Sequence, residues 1–143
     1  MIFPAKYKAL SQAKFKSGEF QIVPIRYKDR LDIMKWRNEQ MYHLRQSELL
    51  TEKNQESYYK NIISKLFNKE KPNQLLFSFL KNNKCVGYGG LVHINWEAKN
   101  SEISFIMNTS LEENYFDLAI MIGVINEMEP KNIKNYMNFV NIL

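Results

Sequence analysis

The sequence predicts an α+β domain: a mainly antiparallel central sheet flanked by helices, in the order β-α-α-β-β-β-α-β. Three observations carry this. Two segments between Tyr27 and Phe67 place apolar residues at helical spacing. The middle of the chain, from Leu75 to Asn108, switches to a two-residue period broken twice by turn residues. Strands and helices come in groups rather than in strict alternation, which suits a layered α+β arrangement. The 143 residues suffice for one domain with a sizeable core.

Residues 1–20 are weakly periodic and Lys-rich and read as an N-terminal extension, leaving 21–143 as the domain. Gln21 to Arg26 alternates, with Pro24 arguing for an edge strand. From Tyr27 the pattern is helical, with Leu31, Ile33 and Met34 facing inward. Thr51 is a good N-cap for a second helix, whose stripe is Tyr59, Ile62, Ile63, Leu66 and Phe67. Lys71-Pro72-Asn73 stops it. Leu75–Leu80, Cys85–Trp96 and Ser101–Asn108 form a meander; its first turn, Lys81 to Lys84, is rich in residues that tolerate positive φ. Gly87, Gly89 and Gly90 suggest a bulge or a close backbone approach. Ser110 and Glu113 form a capping box that opens a helix ending at Met128-Glu129-Pro130, and Asn132 to Leu143 fits one last strand.

Hydrophobic residues make up 45% and charged residues 24%, the composition of an ordinary globular protein. One cysteine excludes a disulfide scaffold, and with two histidines no metal site is expected. No apolar run approaches the roughly 20 residues of a membrane span, and no secretory signal opens the chain, so a cytoplasmic protein without a membrane partner is expected. The net charge of +5 is unevenly spread. All four arginines fall between Arg26 and Arg45, whereas residues 97–129 hold seven acidic residues against Lys99. Most lysines are dispersed among acids, which argues against a nucleic-acid partner. The arginines suit bidentate contacts to phosphate or carboxylate, or helix-face pairs with Asp29, Asp32 and Glu39.

Three motifs lie along this order. Lys35-Trp36-Arg37-Asn38 closes the first helix and is followed by Tyr42-His43-Leu44-Arg45; Val86-Gly87-Tyr88-Gly89-Gly90-Leu91 lies on one strand and Ser101-Glu102-Ile103-Ser104-Phe105 on the next. Together they resemble the GNAT acetyltransferase superfamily, and the first resembles the acetyltransferases that act on amino sugars of nucleotide-linked sugars. The resemblance covers about residues 21 to 118. It implies acetyl transfer from acetyl-CoA to a small-molecule amine. It places the pantetheine arm against backbone groups of Ile106, Met107 and Asn108, where the family's fourth strand splays from the fifth. Glu102 stands where the superfamily often keeps a base for the amine proton; an alternating strand equally lets it face solvent. His93 is a second candidate base, or a structural histidine. Trp36, Arg37, Asn38 and Arg45 would handle the acceptor, with Trp36 alternatively a core anchor. Cys85 reads as an inert core residue.

The chain departs from the family pattern in two places. Asn108 to Tyr115 has no glycine where the family carries a Gly-containing pyrophosphate loop, and Glu112, Glu113 and Asp117 put negative charge there. Thirteen residues follow Pro130, enough for one strand, so the family's last helix and closing strands are expected to be missing through truncation or divergence. A homodimer covering that edge is one expected consequence. The alternative function is a catalytically weak or inactive binding or assembly module on the same fold.

Overall fold

The computed structural model describes residues 2–10, 14–111 and 134–137. They form one six-stranded sheet in the spatial order β1-β2-β3-β4-β5-β6. The strands are β1 (Phe15–Ser17), β2 (Phe20–Pro24), β3 (Leu75–Lys81), β4 (Lys84–Asn95), β5 (Asn100–Met107) and β6 (Lys134–Met137). Neighbours β1 to β5 pair antiparallel and β6 runs parallel to β5. The expected meander is present, and Asn82 and Asn83 make its first turn at φ 51° and 67°.

The segment read as an extension packs into the same core. Tyr7 is 1% exposed, stacks on Phe67 with ring centroids 4.0 Å apart, and continues the β3 edge where β2 leaves it. Its hydroxyl donates to the Leu76 carbonyl (2.7 Å) and accepts from the Leu76 amide (3.0 Å). Because β1 pairs with Phe20 to Ile22, β2 is an inner strand and not the expected edge. Pro24 is accommodated because it lies beyond the reach of β1.

Helix α1 (Arg30–Glu39) follows a 3-10 turn at Tyr27–Asp29. It buries Ile33 and Trp36, with Gln40 buried at its C-cap, whereas Leu31, expected inside, is exposed. Helix α2 (Glu52–Tyr58) has the expected Thr51 cap, a reciprocal box with Asn54. It continues through a π-helical turn (Tyr59–Ile63) into α3 (Ser64–Leu66). That wider turn removes Ile62 from the buried stripe: Tyr59 and Ile63 are each 1% exposed and Ile62 is 47% exposed.

In β4, an ideal Cβ on Gly90 would lie 2.0 Å from the Leu75 carbonyl oxygen, so the glycine lets β3 and β4 approach closely at a φ of +147°. One register shift interrupts the β4–β5 ladder between Val92 and Asn95, with His93 at φ 49°. Such a bulge re-aims the side chain it carries. The expected helix from Ser110 to Met128 and most of the expected last strand lie outside the described residues. Just ahead of that stretch, at the described 3-10 turn Thr109–Leu111, Asn108 Oδ1 accepts from the Ser110 amide and hydroxyl, both at 3.0 Å. Among the described residues, no helix is long and apolar enough to cross a membrane.

Candidate active site

Alternation along β3, β4 and β5 puts Leu76, Tyr88, Val92, Ser104 and Ile106 on one face of the sheet. Between this face, α1, α2 and the loop at 48–50 lies a cavity of about 560 Å³. Ile25, Ile33, Tyr59, Ile63 and Leu76 make one apolar part of its wall, and Arg37, Glu48, Asn54, Gln74 and Ser104 supply polar groups. A second recess of about 320 Å³ shares Arg37, Gln74, Val92 and Ser104 with the first and adds Arg45, Asn73 and His93. No carboxylate is among the side chains lining it.

Each side chain of the Trp36-Arg37-Asn38 segment takes a different place. Trp36 lies in the core at 4% exposure. Arg37 donates to the Tyr88 hydroxyl (2.6 Å) and to Gln46 Oε1 (3.1 Å) at the cavity wall. Burial raises the Tyr88 phenol pKa and the Arg37 charge opposes that rise. Asn38 clasps the loop ahead of α2: its Oδ1 accepts from the Leu50 amide (2.8 Å) and from Gln46 Nε2 (2.9 Å), and its Nδ2 donates to the Leu50 carbonyl (3.0 Å). Asn38 thereby fixes the loop that walls the cavity. Among the described residues, neither Arg37 nor Arg45 pairs with a carboxylate. The other two arginines do: Arg26 with Asp29 (2.7 Å) and Arg30 with Glu56 (3.0 Å).

Of the two candidate bases, His93 is exposed and lines the recess with Arg37 and Arg45. Glu102 is half-buried on the same face of β5 as Ser104, roughly 7 Å from it along the strand, and lines neither space. Cys85 is buried, and burial first, then the Asp29 charge, push its thiol up to about 12, so it is no nucleophile at neutral pH.

At the expected pantetheine positions, β6 pairs with Asn100 to Ile103 only. The Asn108 amide donates to the Val86 carbonyl (2.8 Å), so by alternation the peptide groups of Phe105 and Met107 face away from β4. Buried Gln40 takes the Met107 carbonyl (2.7 Å). Among the described residues, no strand pairs with the Phe105 and Met107 peptide groups on the side away from β4. Ile106 directs its own peptide groups at β4, and its side chain, like Ser104, lines the cavity. The sequence reading missed Phe105, Tyr88, Gln40 and Gln46. The strand period could have indicated Phe105; Gln40 and Gln46 carry no local signal.

A family model described as an acetyltransferase (GNAT) domain matches residues 22–138. The chain belongs to the GNAT acetyltransferases. The co-substrate of this family is acetyl-CoA. Among solved structures, the GNAT chain is similar to the ribosomal-protein-S5-alanine acetyltransferase of Vibrio fischeri, at 9% identity and a TM-score of 0.53, covering 78% of this chain and 66% of that one. It is also similar to the spermidine N-acetyltransferase of Vibrio cholerae in complex with CoA and spermine, at 13% identity and a TM-score of 0.52, covering 73% and 63%. A possible acetyltransferase from Clostridium difficile 630 aligns over 82% of this chain and 77% of that one, at 12% identity and a TM-score of 0.53. The chain thus spans just under two thirds of the first two proteins, and at these identities the likeness is one of fold. No curated protein matches it.

Proposed function

We propose that this GNAT domain transfers the acetyl group of acetyl-CoA to a primary amine of an amino sugar held on a nucleotide. The observation that carries the reading is the carboxylate-free recess of Arg37, Arg45 and His93, which shares Arg37, Gln74, Val92 and Ser104 with the cavity. Guanidinium groups bind diphosphate oxygens bidentately, whereas a polyamine would meet repulsion there. The amine-bearing ring would occupy the larger cavity, beside the strand segment at Phe105 to Met107, along which the pantetheine arm would lie. Asn108, already engaged with Val86 and Ser110, has a positioning role at that strand end.

In the reaction the amine lone pair attacks the thioester carbonyl, a C–N bond forms, the C–S bond breaks, and CoA leaves as the thiolate. The proton lost by the amine passes to His93 at the recess wall or, through water, to Glu102. Trp36 acts from the core by fixing the end of α1, and Asn38 by holding the loop.

The test is CoA release from acetyl-CoA with UDP-glucosamine, spermidine and a peptide with an N-terminal alanine as competing acceptors. UDP-glucosamine should be the preferred acceptor. Arg45→Ala should raise its KM roughly tenfold or more with kcat little changed, as loss of a charged contact made in ground and transition state alike. A preference for spermidine, with Arg45→Ala without effect, would contradict the reading.

A further inference from the structure

The wall of the larger cavity contains an anomaly that acetyl transfer does not use. Tyr59 lines it, is 1% exposed, and carries the one buried side-chain polar atom among the described residues without a hydrogen-bond partner, its hydroxyl. A buried hydroxyl left unpaired costs about 1–3 kcal/mol, so native proteins rarely keep one without a use for it. Local structure holds it there. Tyr59 opens the π-helical turn, and its ring packs against Phe3 (5.9 Å) and Tyr27 (6.1 Å). π-Turns of this kind occur often at functional sites. Among the polar groups nearby, the Tyr88 hydroxyl accepts from Arg37, Asp29 accepts from Arg26, and Gln55 Nε2 donates to the Arg30 carbonyl (2.9 Å).

We infer that the Tyr59 hydroxyl is a specificity-determining contact of this cavity, completed by a neutral hydroxyl or carbonyl oxygen of the bound acceptor. Ile25, Ile33, Ile63 and Leu76 also line the cavity. Burial, reinforced by the Tyr88 hydroxyl and the Asp29 carboxylate, pushes the phenol far above its ordinary pKa. The hydroxyl stays protonated and can donate or accept. The inference rests on the proposal that the acceptor occupies this cavity.

Tyr59→Phe tests it with two readouts that separate a ligand contact from a structural one. In the free protein the substitution removes an unpaired buried group, so the melting temperature should rise, by about 2–4 °C. Calorimetric titration with UDP-glucosamine should then show binding roughly three- to tenfold weaker than wild type, the loss of one neutral hydrogen bond. A fall in melting temperature would show that the hydroxyl has an internal partner, and unchanged affinity would show that the ligand does not touch it; either overturns the inference. UDP-glucosamine bound by wild type but not acetylated contradicts the proposed reaction and leaves the affinity comparison to decide on Tyr59. If wild type does not bind UDP-glucosamine, the amino-sugar reading falls, while a melting rise in Tyr59→Phe still supports an unfilled ligand contact and a fall removes it.

Discussion

Glu56 shows how one carboxylate joins segments that are distant in sequence. The Tyr27 hydroxyl donates to it, Arg30 lies at 3.0 Å and Lys60 at 2.9 Å, so the start of α1 is tied to α2. The Tyr27 hydrogen bond first, and Lys60 next, hold its carboxyl at about 2, below the ordinary 4.5. A folded-state pKa below the unfolded one gives stability that is full above about 4.5 and lost as the pH falls toward 2. The urea midpoint of the wild-type chain should therefore drop across that window, and Glu56→Gln should flatten the drop. Equal slopes for the two proteins would show that Glu56 is not the titrating group. The arginine cluster was visible in the sequence, with phosphate contacts and ion pairing both open. The structure divides it: Arg26 and Arg30 pair with acids, and Arg37 and Arg45 line the recess. Asp29 was an expected partner. Glu56, 26 residues from Arg30, could not be read from helix spacing.

At the scale of the element, what the sequence revealed was periodicity, and what it hid was a single-residue change of phase. The meander, its Asn82-Asn83 turn and the Thr51 cap follow from strand alternation and local hydrogen bonding. The π-turn at Tyr59–Ile63 and the bulge at His93 each alter the count of the residues around them, which moves Ile62 outward and gives His93 its place in the recess. A fixed period cannot anticipate either. The glycine cluster was legible because close strand approach needs glycine. Gly90→Ala would drive a Cβ against the Leu75 carbonyl at a φ of +147°, and should cost at least about 2 kcal/mol by urea unfolding. A loss under about 0.5 kcal/mol, the scale of an ordinary surface substitution, would mean that β3 and β4 do not approach so closely.

Across the whole molecule the largest difference lies at the N-terminus. Its Lys-rich, weakly periodic sequence concealed Tyr7, whose partners Leu76, Phe67 and Phe77 are about 60 to 70 residues away. Contacts of that range leave no local pattern, so nothing in the spacing showed that Tyr7 packs in the core and β1 pairs with β2. The site was partly legible for the opposite reason: Trp36, Arg37 and Asn38 are contiguous, and each does one job in the core, at the cavity wall or on the loop. The proposed site for acetyl-CoA runs along Phe105 to Met107, although Asn108 to Tyr115 lacks a glycine. A ligand that binds only the folded state stabilises it by about 2.7 kcal/mol at a hundred times its dissociation constant. The most direct measurement is therefore thermal unfolding of the full chain with and without millimolar acetyl-CoA. The melting temperature should rise by about 5 °C or more; an unchanged melting temperature at millimolar acetyl-CoA would contradict binding at that site.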